Sequence, residues 1–287
     1  MSMGPQQTTP LPPTAQGRLQ HSAQSGAAKT AFLGYADFLL LEQMGFEPIA
    51  ATIGISVVHL GRIQFAGVKQ AIELEGYSQA IGMGLLSSLR HLQEEAAILG
   101  ADGVFLDTLV SERRFDAEEH EYSIRGTALR FRPQPGALRA PSGMPFIFPS
   151  SVQVLYQMLR QGFVPITIGF GVCVYHVPHR SIRQALGQTF QNTEVPVFTE
   201  AWYTAREIAV SRLQAQLEEH RAELVLGVKV EEKAEAFGEH TAEFRAFGTG
   251  WARREGISQL IPAIDLTGVA LIERGLYVTG PAEQSPR

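Results

Sequence analysis

The strongest constraint on this 287-residue chain is that it repeats itself. Gly45-Phe46-Glu47-Pro48-Ile49 returns as Gly162-Phe163-Val164-Pro165-Ile166, each behind a short amphipathic segment, residues 37–44 and 151–160. The offset is 117 residues; Val57 meets Val174 and His59 meets His176 at that spacing, and Gly54 is set against Gly169. Residues 77–98 answer to 201–220. Ala101-Asp102 answers to Ala222-Glu223 at an offset of 121, and Gly126-Thr127-Ala128 to Gly248-Thr249-Gly250 at 122. Co-linear matches whose offset drifts by so little indicate a duplicated unit of about 100 residues.

Each unit reads as helix, strand, long helix, strand, strand. Ile49, Ala51, Ile53, Ile55, Val57 and His59 share one strand face and Ala50, Thr52, Gly54 and Ser56 the other, because side chains alternate along a strand. Residues 166–176 repeat this, with Ile166, Ile168, Phe170, Val172, Val174 and His176 opposite Thr167, Gly169, Gly171 and Cys173. Both units therefore present a bulky face and a small one, and the glycines predict close backbone approach. The long helices carry Leu85, Leu89, Leu92 and Ala96, then Ala205, Ala209, Leu213 and Leu217, at helical spacing.

A helix ending in Leu99-Gly100-Ala101-Asp102, a strand through Val104, and a closing strand with Gly126-Thr127-Ala128 resemble the YbjQ family (UPF0145, the putative heavy-metal-binding domain). The second copy departs from that pattern with Arg221-Ala222-Glu223. The resemblance implies an α+β fold of two tandem dodecin-like units, each β-α-β-β behind a short helix, of a kind that assembles into ring-shaped pentamers.

The divisions that follow are a disordered tail at 1–30, unit one at 31–134, a linker at 135–149, unit two at 150–256, and a C-terminal helix and tail at 257–287. The first 30 residues hold four prolines, five glutamines, no acid and no aromatic, too little apolar surface to offset the entropy of ordering them. A net charge of -5 argues against nucleic-acid binding. No apolar run reaches the roughly 18 residues of a membrane span. The single cysteine, Cys173, closes no intrachain disulfide, which points to a reducing cytoplasm.

The densest set of metal-ligating side chains is Cys173, His176 and His179, with His59 as the counterpart of His176. In a regular strand Cys173 and His176 point to opposite faces, which disfavours their chelating one ion. Phosphate-loop, nucleophile-elbow and His-Glu-x-x-His patterns are absent, and the carboxylates form no catalytic pair. The expectation is a non-enzymatic cytoplasmic assembly protein without a cofactor, a homo-oligomer of five chains whose contacts involve Gly54, Gly169 and Gly171. The rival is a heavy-metal or small-ligand binder, holding a transition metal at subunit interfaces.

Overall fold

The computed structural model describes residues 10–23, 28–61, 71–114, 118–177, 196–234, 241–265 and 278–279. A short helix, α1 (Pro13–Ser22), comes first, with Pro13 in the first turn, where a missing N–H costs nothing. It falls inside the stretch expected to be a disordered tail, and Leu19 anchors it by full burial.

Half one then runs α2 (Tyr35–Gln43), β1 (Phe46–His59), β2 (Ile72–Glu73), α3 (Glu75–Ile98), β3 (Gly103–Arg114) and β4 (Glu119–Phe131). After β5 (Phe146–Phe148), half two runs α4 (Val152–Arg160), β6 (Phe163–His176), α5 (Pro196–Glu219), β7 (Leu224–Ala234) and β8 (Thr241–Arg253). Short α6 (Ile257–Leu260) and β9 (Val278–Thr279) follow. Of the C-terminal helix and tail expected at 257–287, residues 266–277 and 280–287 lie outside the described residues.

Sheet one has the order β1-β4-β3-β5, with β9 also on β3; sheet two has the order β2-β6-β8-β7. Within each half the first strand pairs antiparallel with the last, and the last with the strand before it. Residues 146–148, placed in the linker from sequence, instead add β5 to β3 in parallel. β2 leaves its own half and pairs with β6 of the other.

Local chemistry explains the repeated motifs. Gly45 and Gly162 end α2 and α4 with φ of 88° and 80°, a left-handed turn that glycine adopts without strain. Pro48 and Pro165, which have no N–H to give a ladder, sit at matching register shifts. After α3, Ala101 N–H returns to Ala96 O, and Asp102 then clamps the next segment. Its carboxylate accepts from the N–H groups of Phe131 and Gly136, and from Arg139 at 3.2 Å.

The layers follow from the two strand faces. Gly54, on the small face of β1, lies against the α3 backbone, where a Cβ would stand 1.8 Å from Ser88 O; Gly171 meets Ala209 O of α5 in the same way. The structural counterpart of Gly54 is thus Gly171, a correction to the match with Gly169. The bulky face of β6 packs on the other side of α3, in one core with Ile81, Leu85 and Leu92. The order is sheet one, α3, sheet two, α5. A second core of Phe46, Phe131, Phe148, Leu155 and Trp251 closes the strand starts of both halves.

Candidate assembly surface

Side-chain alternation gives β1 and β6 the same bulky face, but the layers cover them unequally. Val172 and Val174 are 3% and 0% exposed beneath α3, whereas their counterparts Ile55 and Val57 are 48% and 54% exposed. The nearest cover is α1, whose Arg18 donates to Ala51 O at 2.9 Å and to Glu95 at 2.7 Å. A groove of about 600 Å³ remains beside it, lined by Leu11, Ile53, Ile55, Val57 and His91 among others. A second bare surface is β7. Leu224, Leu226, Val228 and Val230 are exposed there, and no described strand pairs with its outer edge. Long apolar edges of this kind are templates for association.

The outer edge of β1, and that of β6 before its short pairing with β2, are held alike by the helix on their own small face. Glu95 accepts from Ile53 N–H, and His91 Nδ1 meets Ile55 O at 2.7 Å. In half two Gln216 accepts from Phe170 N–H, and Arg212 donates to Val172 O. Arg212 also pairs with Glu73 of β2, fastening the crossing strand.

A buried ionic cluster joins the halves. Glu112 of β3 accepts from His120 at 3.2 Å and from Lys233 of β7, and forms an ion pair with Arg245 of β8 at 3.0 Å. Arg245 is also paired with Glu243, and its guanidinium stands 5.6 Å from the centre of the Tyr122 ring. Burial pushes the Glu112 carboxyl up, but the His120 hydrogen bond and the charges of Arg245 and Lys233 outweigh it, holding the group well below the usual carboxylate range. Sequence reading missed this cluster, because its members are scattered from 112 to 245 with no local pattern.

The residues singled out from sequence do not converge. Cys173 is buried against Ala205, Ala209 and Leu213. Burial and the neighbouring Glu73 push its thiol up to about 12, which leaves it protonated and unreactive at neutral pH. His176 is buried on the alternate face of the strand, paired in register with Ile72. His59 is exposed, 3.7 Å from Glu118. His179 lies outside the described residues. Among the described residues no group of three His, Cys, Asp or Glu side chains could hold a metal ion. Gly54, Gly169 and Gly171, expected at contacts between copies, all face helices of their own half. A Cβ on Gly169 would stand 2.7 Å from Leu213 and Leu217. They are packing positions within a unit, because the small face is filled by the unit's own helix.

No helix among the described residues is long and apolar enough to cross a membrane. No family model and no solved structure matches the chain. It is 37% identical over 256 residues to the encapsulin nanocompartment protein Rv1762c of Mycobacterium tuberculosis, a match covering 89% of this chain and 96% of the relative. So extended a likeness spans both halves. It overturns the resemblance to the YbjQ family, and with it the ring-type assembly of YbjQ-like units and the heavy-metal or small-ligand binding expected from that resemblance.

Proposed function

Since this chain belongs to the family of the encapsulin nanocompartment protein of Mycobacterium tuberculosis, we propose that it is a structural, non-enzymatic subunit of a self-assembling protein shell. The observation that carries the reading is the 37% identity over nearly the whole of both chains. Its physical support is apolar surface that one copy leaves bare, at Ile55 and Val57 on the outer face of sheet one and along β7 at the edge of sheet two. Patches of this kind mark contacts with other chains.

Copies associate with one another in the cytoplasm, where a single buried thiol needs no oxidising partner. Grouping by five chains is the proposed repeating unit of the shell. The two tandem α+β halves, each a β-α-β-β unit behind a short helix, supply its wall. Negative-stain electron microscopy with native mass spectrometry tests this. Closed particles of uniform size, dissociating through five-chain species, are expected; a monodisperse monomer at micromolar concentration would overturn it.

A further inference from the structure

We propose that the bulky face of β1 receives helix α5 from a second copy of this chain, in the place that α3 takes on β6 within one copy. The inference rests on the shell-subunit reading and names the contact through which copies join.

The mapping is set by geometry. Gly54 meets α3 at Ser88 and Leu92, and Gly171 meets α5 at Ala209 and Leu213, so the two long helices lie in one register against their own strands. In that register Ser78 of α3 corresponds to Thr199 of α5. Within the chain α3 also touches the other sheet. Ser78 Oγ accepts from Val174 N–H at 2.8 Å, and Leu74 N–H donates to Val174 O at 2.8 Å. The counterpart of Val174 is Val57, which receives neither bond from a described residue and stands 54% exposed. Thr199 carries the hydroxyl that would complete the first of them. Donor site and acceptor helix are therefore both present in each copy, on opposite outer layers.

Only one end of the face is open. Arg18 of α1 reaches Ala51, the counterpart of Ile168, leaving Ile55 and Val57 for an incoming helix. This second contact is more polar than the first, with Arg206 in the place of Leu85 and Arg125 in the place of Phe247. That suits a surface that stays in water until copies meet. Because the β1 face and α5 lie on opposite outer layers of one copy, two copies cannot make both contacts with each other at once, so the contact is heterologous and repeating it joins many copies rather than two.

Two variants test the contact. Val57→Lys places a charge that cannot be buried beneath a helix, so light scattering should show self-association weakened about tenfold or more, with the circular dichroism of wild type retained. Chains carrying Val57→Cys, mixed under oxidising conditions with chains of another tag length carrying Thr199→Cys, both in a Cys173→Ala background, should form the mixed disulfide in preference to either like pair. If Val57→Lys chains still assemble, or the mixed disulfide does not form, the contact is overturned while an intact wild-type particle leaves the shell reading in place. A wild-type chain that stays monomeric sinks both.

Discussion

Arg221 occupies the position that Gly100 fills in the other half, at the turn leaving the long helix, and both are left-handed, with φ of 63° and 68°. The hydrogen bonds that demand this backbone match as well. Ala101 N–H reaches Ala96 O, and Ala222 N–H reaches Leu217 O. A side chain in that region costs about 1–2 kcal/mol, and glycine returns part of the relief through its larger unfolded-state entropy. Arg221→Gly should therefore stabilise the chain by about 0.5–1 kcal/mol in urea titration; an unchanged or lower midpoint would show that the arginine is not strained. Glu112 is the opposite case, a residue held rather than strained. Its native carboxyl sits below the unfolded value of about 4.3, so its stabilisation is complete above that pH and lost as pH falls below it. Glu112→Gln should cost about 3 kcal/mol at pH 7 and progressively less below pH 4, because the unfolded wild-type chain then gains a proton at Glu112 that folding must expel. Parallel stability profiles for the two chains between pH 3 and 7 would contradict this assignment.

At the scale of elements, the close approach of strand to helix sets the tightest tolerance. A methyl group on Gly171 would be driven into Ala209 O, a backbone atom that cannot swing aside, so α5 would have to lift from the sheet. Gly171→Ala should destabilise the monomer by about 1–3 kcal/mol, and its denaturant midpoint should fall whether or not copies are assembled. A midpoint equal to wild type with assembly lost would instead restore the glycine to a contact between copies. The alternation that placed Gly171 on a small face was legible in the sequence, and residues 49–59, 77–98 and 166–176 lie within β1, α3 and β6 as observed. Helix α1 was not legible, because its composition is that of a solvated segment and its order comes from Leu19 and Arg18 meeting half one. β5 was hidden for a related reason: three residues among prolines show no period, and their place is set by a partner strand more than 40 residues away. What covers each bulky face was beyond periodicity altogether. Alternation states which side chains share a side, whereas the burial of Val174 and exposure of Val57 depend on α3 lying between two sheets.

For the whole molecule, that shared helix decides how the repeat behaves on unfolding. Two tandem copies with separate cores would melt independently, but here three connections cross the boundary. The bulky face of β6 is buried on α3, β2 of the first half is paired with β6, and the Glu112–Arg245–Glu243 cluster ties β3 to β8. Phe148 packed edge-on to Trp251 at 5.5 Å adds a fourth link near the strand starts. Removing either half would strip cover from apolar side chains and leave charged groups of the cluster buried without their partners, so neither half has a stable state while the other is unfolded. Differential scanning calorimetry of the Val57→Lys chain, chosen to keep copies apart, should therefore show a single transition whose van't Hoff and calorimetric enthalpies agree. Phe170→Ala, which opens a cavity between α3 and sheet two, should move that whole transition down by an amount equivalent to about 3 kcal/mol rather than split off a second one. Two resolved transitions in the parent chain would mean that the halves are independent domains that merely touch.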